Sequence, residues 1–446
     1  MDDASKPTIA LLPWGDVYED WLEPLGVSLE AFRDEMRGSW MFGYVDALQS
    51  AGVRVVLVCV SAGVERPVRW THRPTGAPMY VLPPPPLWRL ARRGAAREPR
   101  GALRKLRRIG PRLLWHVSPY LGTPLRALAQ TLRRERCAAI LCQEYETARF
   151  DACVLLGRML RLPVFATYQG GDYQLSRFER PVRPLTIRRS AGLIIATRSE
   201  AERVAGRYRI PTEKIARIFN PLDADLWRAT DQAEARAKLG IDPEAAVAIW
   251  HGQIQLERKG LDIIVEAWER VSRLRPGRKL QLVLIGDGQD ADELDRRVRG
   301  MPGIRFVRQW MLDWTALREM LSAADLYVFA SRHEGFPVAP VEAMACSLPV
   351  VATGGAGIPD ILESGESSGG VVTPVDDAIA LADALGRVLD DSAWRKELGA
   401  NARRRVEEAF SLPVVGKELR ALLGLGPGYR SARDAGTERR AGRRRQ

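Results

Sequence analysis

Ser331-Arg332-His333-Glu334-Gly335-Phe336-Pro337-Val338-Ala339-Pro340-Val341-Glu342-Ala343-Met344-Ala345 decides how this chain is read. It follows residues 326–330, an apolar run that reads as a buried strand. Pro337 and Pro340 suit a loop and a first helical turn. Glu334 is therefore expected on the loop at the strand's carboxyl end, with Glu342 early in the next helix. In a doubly wound sheet, that edge is where ligands bind. The amides of Gly335 and Phe336, at the helix N-terminus, suit a phosphate. Carboxylates accept from sugar hydroxyls, so two of them flanking a phosphate site suit a nucleotide sugar.

Outward from this stretch, short β-branched runs alternate with helix-length segments. One series of strands is expected at residues 8–12, 54–60, 138–142, 164–167 and 193–197. A second is expected at 247–250, 280–285, 304–307, 326–330, 350–353 and 370–373. Nearly continuous apolar strands argue for buried parallel sheets, and two series argue for two doubly wound α/β domains. The break falls between Asn220 and Asp242, where Asn220-Pro221 marks a turn. The expected domains are 1–221, 222–410, a returning helical segment 411–429 and a basic tail 430–446.

Further landmarks accompany the two glutamates. They are His251-Gly252, Arg258-Lys259-Gly260-Leu261-Asp262, Gly286-Asp287-Gly288, Ala324-Asp325-Leu326 and the loop Gly354-Gly355-Ala356-Gly357-Ile358-Pro359-Asp360. With them, residues from about 246 to 365 resemble the C-terminal domain of family four of the glycosyltransferases, which have the GT-B fold. The Glu334-x7-Glu342 pair matches that family's signature. The resemblance implies two Rossmann-like domains facing a cleft, a C-terminal helix crossing back to the first, and retaining transfer from a nucleotide sugar. By position, Glu342 would hold the ribose hydroxyls and Glu334 would contact the donor sugar. Lys259, with Arg258, would neutralise the departing diphosphate. Fixed cations and amides suit that developing charge, and no essential metal is expected. Gly335, Phe336, Gly252, Gln253, Gln309 and Trp310 complete the expected donor side. Trp310 reads equally well as a core aromatic.

Two positions depart from the family's pattern. Gln253 stands where the family usually has Arg, and Arg258 is the expected replacement. Gln169 stands in the N-terminal slot where the family often has His, and it cannot relay a proton at neutral pH. Asp172 and Glu144 are the neighbouring candidates for acceptor contact. Gly15 ends the first strand's Pro13-Trp14-Gly15-Asp16, and the next helix is expected only near Gly38-Ser39-Trp40. The intervening Tyr18, Trp21, Glu23 and Phe32 read either as an acceptor-side insertion or as a capping helix.

Composition bounds the partners. The chain has 446 residues, 46% hydrophobic and 27% charged, which excludes collagen-like and wholly disordered readings. Its net charge of +12 is unevenly spread. Residues 81–136 hold 14 Lys/Arg against 2 Glu, and residues 430–446 hold 7 Arg against 2 acids. The basic segment opens on four prolines, 83–86, expected as a stiff spacer, and then interleaves Arg with Trp88, Leu90, Leu103, Leu106 and Trp115. That pattern suits an anionic membrane surface, or equally a solvated helix packed on its own domain. Nucleic acid is disfavoured because no such module is visible. Five cysteines without CxxC spacing and an acidic start at Asp2-Asp3 fit a reduced, cytoplasmic protein, at most peripheral to the membrane.

Other motifs fall away. Asp223-Ala224-Asp225 follows Asn220-Pro221-Leu222, in the slot of a family turn, so it is not expected to hold a metal. The four histidines lack metal-ligand spacing, and Gly286-Asp287-Gly288 is only a fragment of a dinucleotide fingerprint. The expected function is a retaining glycosyltransferase moving sugar from a nucleotide-sugar donor to a glycan or lipid-linked acceptor in cell-surface glycoconjugate synthesis. The alternative is a catalytically silent GT-B binding or scaffold protein, suggested by Gln253 and Gln169.

Overall fold

The computed structural model describes residues 6–23, 26–38, 40–96, 117–170, 179–309, 311, 313–355 and 357–425. Trp310, Asp172, residues 97–116 and the tail from 426 lie outside the described residues. The chain divides into two compact units. The first is Met1–Ile195, Glu200–Ile218 and Val415–Gln446, and the second is Ala196–Ser199 and Phe219–Val414.

The first unit holds eight strands: β1 (Thr8–Leu12), β2 (Arg54–Val60), β3 (Val68–Thr71), β4 (Pro78–Leu82), β5 (Ala139–Cys142), β6 (Val164–Thr167), β7 (Gly192–Ile194) and β8 (Ile215–Ala216). They form one sheet in the order β3-β4-β2-β1-β5-β6-β7-β8. Every pair is parallel except β3 with β4. β1, β5 and β6 are buried along their whole length because helices cover both faces. Their side chains join Leu128, Leu132, Phe150 and Ile187 in one core. The last helix, Leu412–Leu422, packs Gly416 onto the carbonyl of Ala47, so closely that a Cβ would lie 2.0 Å from that oxygen.

Deep in this unit, Arg183 and Asp151 form an ion pair at 3.0 Å with side chains 1% and 2% exposed. Tyr120 also donates to Asp151, at 2.8 Å, and Arg183 to the Thr147 carbonyl at 3.1 Å. A pair this buried is tolerable because these hydrogen bonds satisfy further donor and acceptor positions of the two groups.

The second unit holds β9 (Ala246–His251), β10 (Leu280–Gly286), β11 (Ile304–Arg308), β12 (Leu326–Phe329), β13 (Val350–Thr353) and β14 (Gly370–Thr373). Their order, β11-β10-β9-β12-β13-β14, is parallel throughout. The chain winds outward from β9 to β11, then returns to the other side of β9 as β12. The crevice between the carboxyl ends of β9 and β12 is therefore the topological switch point. Helix Leu261–Arg273 buries Leu261, Ile264, Ala267, Trp268 and Val271 on one face, the 3.6-residue period of an amphipathic helix.

Several local expectations need correction. Strands β3, β4 and β8 were not foreseen. β3 alternates half-buried and exposed residues, β4 opens on Pro78, and β8 has two residues. The spacer expected over the four prolines is one residue shorter, since residues 83–85 link β4 to the helix Pro86–Ala96, which Pro86 begins. The helix expected near Gly38–Trp40 is Gly43–Ser50, preceded by a shorter one, Leu29–Asp34, capped by Ser28. β7 stops at Ile194, short of residue 197.

Candidate functional site

The quoted stretch leaves β12 at its carboxyl end, and Ser331 begins the loop. Ser331 Oγ donates to Glu334 Oε1 at 2.8 Å, Lys259 Nζ donates to the same oxygen, and Arg258 Nη2 lies 3.4 Å from Oε2. The Glu334 and Lys259 side chains are 10% and 15% exposed, while that of Arg258 is 41% exposed. One carboxylate facing two cations leaves this cluster with a net charge of +1. Lys259 is 75 residues from Glu334 in sequence, and a close backbone approach joins them. The short helix Leu256–Lys259 ends at Gly260, whose φ is +62°. A Cβ there would lie 2.0 Å from the Ala330 carbonyl oxygen, so only glycine permits the contact. The Arg332 amide donates to the Arg258 carbonyl at 2.9 Å, which pins the turn to the loop, and Ser331 Oγ lies 3.1 Å from the same carbonyl oxygen.

Helix Val338–Ala345 follows Pro337 as its N-cap. The amides of Gly335 and Phe336 donate to no acceptor among the described residues. The Phe336 ring packs inward against Phe219 and Phe410, at centroid distances of 5.7 and 6.1 Å, which anchors the loop whose amides stay open. Glu342 lies in the second turn of this helix, and its Oε2 is 3.0 Å from His251 Nε2. His251 ends β9, so Glu334 and Glu342 flank the switch point on the β12 side. Gly252 and the exposed Gln253 follow His251, and the Gly252 amide donates to the Ile285 carbonyl at 3.0 Å. Gln309 sits exposed just beyond β11, three strand spacings or about 14 Å along the same edge.

In the first unit, the corresponding edge gathers Glu144, Gln169 and Gly15 beyond β5, β6 and β1. Glu144 is 2% exposed and has a φ of +106°, a strained backbone for a residue with a side chain. Its two oxygens accept the amides of Glu146, at 3.1 Å, and Gln169, at 3.0 Å. The Gln169 side chain donates to Thr167 Oγ1 at 3.0 Å. Burial pushes the Glu144 carboxyl up to about 7 against the hydrogen bonds of those amides. Burial first, and then the charge of Glu144, pushes Glu146 up to about 7 as well.

Both folded values lie above that of an unfolded glutamate, about 4.3. The stability these groups contribute is present below that value and lost as pH rises through 7. The melting temperature of the wild type is expected to fall between pH 5 and pH 8, and Glu146→Gln should flatten that fall. Thermal unfolding across this range checks it, with roughly 2 kcal/mol at stake.

The segment after β1 is built from aromatic rings. Tyr18 and Phe32 are buried, with centroids 6.0 Å apart, and Phe32 packs on Phe42 at 5.4 Å. Trp21 lies over Gly15, where a Cβ would come within 2.2 Å of the indole. Tyr18 and Phe32 thus serve packing, while Trp14, Trp21 and Trp40 stay half-buried.

Two partners of these glutamates, Ser331 and His251, are not singled out by the sequence pattern, which marks Ser331 as the start of the loop and His251 as part of a motif. Their positions at the ends of β12 and β9 were the available signal. Asp223 Oδ1 accepts the amides of Asp225 and Leu226 at 3.1 and 3.0 Å, a turn-closing role. Among the described residues, no group of three His, Cys, Asp or Glu is placed to hold a metal ion.

Comparison with known proteins places this geometry. A family model described as Glycosyl transferases group 1 matches residues 245–391, and one described as Glycosyltransferase Family 4 matches residues 90–226. The alpha-D-kanosaminyltransferase of Streptomyces kanamyceticus is 26% identical over 282 residues, 59% of this chain and 71% of that protein. The D-inositol 3-phosphate glycosyltransferase of Segniliparus rotundus is 30% identical over 233 residues, 52% of this chain and 46% of that protein. Among solved structures, Anabaena HepE in complex with UDP superposes with a TM-score of 0.64 at 16% identity, covering 94% of this chain and 99% of that one. Sucrose-phosphate synthase from Thermosynechococcus elongatus does so with a TM-score of 0.64 at 21% identity, covering 94% and 98%. Models of one enzyme family account for both halves of the sequence, on a fold shared with GT-B enzymes, and the chain belongs to the family four glycosyltransferases.

Proposed function

We propose that the protein transfers a sugar, with retention at the anomeric carbon, from a nucleotide sugar to a hydroxyl of a glycan or lipid-linked acceptor. The observation that carries this reading is the cluster at the β9/β12 crevice, where Lys259, Arg258 and Ser331 converge on Glu334. The donor diphosphate lies against Lys259, Arg258 and the open amides of Gly335 and Phe336. As the anomeric C–O bond breaks, the leaving diphosphate gains charge, and these groups are already aimed at it. Glu334 receives hydrogen bonds from the sugar hydroxyls, and Glu342 from the ribose. The acceptor oxygen forms the new bond to the anomeric carbon, and its proton passes to the leaving phosphate oxygen. Gln169 therefore need not act as a base in this route.

The likeness to HepE, solved with UDP and with UDP-glucose, makes a uridine diphosphate sugar the first donor to try. An anionic membrane surface remains the proposed location of the acceptor. Leu87 and Leu90, 62% and 67% exposed on helix Pro86–Ala96, support it. On the same helix, however, Arg89 donates to the Ala62 and Val64 carbonyls and Arg92 pairs with Asp20. No helix among the described residues is long and apolar enough to cross a membrane.

A thermal-shift screen of UDP, GDP and ADP tests the donor site. A ligand at 100 times its dissociation constant adds about 2.7 kcal/mol to the folded state, a shift of several degrees. One of the three is expected to raise the melting temperature, and none doing so would count against the reading.

A further inference from the structure

Glu342 has a dedicated partner. His251 Nε2 lies 3.0 Å from Glu342 Oε2 across 91 residues of sequence. His251 Nδ1 is buried without a partner among the described residues. A carboxylate oxygen can only accept, so Nε2 carries a proton and donates it to Glu342. The ring has little freedom. His251 is 8% exposed and meets Tyr327 edge-on at 5.4 Å. The Tyr327 hydroxyl donates to the His251 carbonyl at 3.2 Å, and its oxygen accepts the His251 amide at 3.4 Å. Tyr327 is itself fully buried in β12, so the two strands at the switch point hold the imidazole between them.

A carboxylate offers about four lone-pair positions over its two oxygens. The His251 bond takes one on Oε2 and fixes the carboxylate plane. Oε1 and the second position of Oε2 remain for a ligand. Those positions match two adjacent hydroxyls donating side by side. We propose that His251 is a positioning residue for the donor. It holds Glu342 oriented toward the ribose diol, and so gives the site a preference for ribonucleotides over 2′-deoxyribonucleotides. This rests on the assignment of Glu342 to the donor made above.

The test is calorimetric titration with whichever of UDP, GDP and ADP binds the wild type best, and with its 2′-deoxy form. The wild type should prefer the ribonucleotide. His251→Leu should weaken ribonucleotide binding about tenfold, the size of one lost charge-assisted hydrogen bond, and change deoxynucleotide binding much less. The preference would then shrink toward unity. His251→Gln, which keeps an N–H donor, should restore most of it. In turnover, His251→Leu should raise the donor KM by more than it lowers kcat. A merely structural histidine would lower the affinities for both nucleotides alike, and that outcome overturns the proposal. So does an unchanged preference in His251→Leu. A wild type that binds none of the three diphosphates removes the donor site itself. A wild type that binds, with an indifferent His251→Leu, removes only the role of His251.

Discussion

Lys259→Ala is expected to lower kcat/KM for sugar transfer by about 100- to 1,000-fold, the usual effect of removing one preorganised group that stabilises developing negative charge. Lys259 Nζ is the most buried cation of the cluster, with a side chain 15% exposed against 41% for Arg258. Arg258 lies 3.4 Å from Glu334 and partly in solvent, where its charge is better screened. It therefore compensates only in part. Glu334→Gln should have a similar effect by a different route. The amide still accepts from Ser331, but it no longer balances Lys259, and its second position becomes a donor facing cations. Both variants should remain folded, because the pair sits at the sheet edge and not in the core. Circular dichroism and initial-rate kinetics on the same preparations check this, and wild-type turnover from either variant would contradict the assigned roles.

Gly260→Ala is the second large effect. A left-handed residue with a side chain costs roughly 1 kcal/mol, and here the new Cβ also falls 2.0 Å from the Ala330 carbonyl oxygen. That oxygen belongs to the backbone at the end of β12, so the turn itself must move. Since Lys259 immediately precedes Gly260, its ammonium moves with it. A displacement on the order of 1 Å is enough to cost about 100-fold in rate. Gly240→Ala is the matched control. Its φ is +64°, but nothing lies within 4 Å of the added Cβ. It should lose about 1 kcal/mol and keep full activity. Gly260→Ala should lose roughly 2–4 kcal/mol and nearly all activity. Equal effects of the two substitutions would show that close approach to Ala330 is unimportant.

The parts of the fold that were legible in sequence share one physical property. Strands β1, β2, β9, β10, β12 and β13 are largely buried on both faces, so their apolar runs are nearly continuous. β3 was invisible because it lies at the edge and alternates half-buried with exposed residues. Pro78 at the start of β4 masks the short apolar run that follows it, and the two residues of β8 are too few to give a strand signal. The site divides in the same way. The spacing of Glu334 and Glu342 on one strand–loop–helix unit is a local feature and could be read. The approach of Lys259 to Glu334, and of His251 to Glu342, depends on which strand ends meet at the switch point, across 75 and 91 residues. For Lys259, family resemblance supplied the link. For His251, the family motif and its place at the end of β9 mark the residue but not its partner. The aromatic segment after Gly15 shows a third limit. Its tyrosine, phenylalanine and tryptophans are equally suited to packing or to a ligand, and only their burial separates Tyr18 and Phe32 from the half-buried tryptophans.

In the proposed function, the Glu334–Lys259–Arg258 cluster carries out transfer from a nucleotide sugar. The most direct measurement is nucleoside diphosphate released from UDP-, GDP- and ADP-sugars by the wild type, Lys259→Ala and Glu334→Gln. The wild type is expected to release nucleoside diphosphate from one donor class, and both variants to lose about 100-fold or more of that rate. No release from any donor by the folded wild type, or equal release by all three proteins, would contradict it.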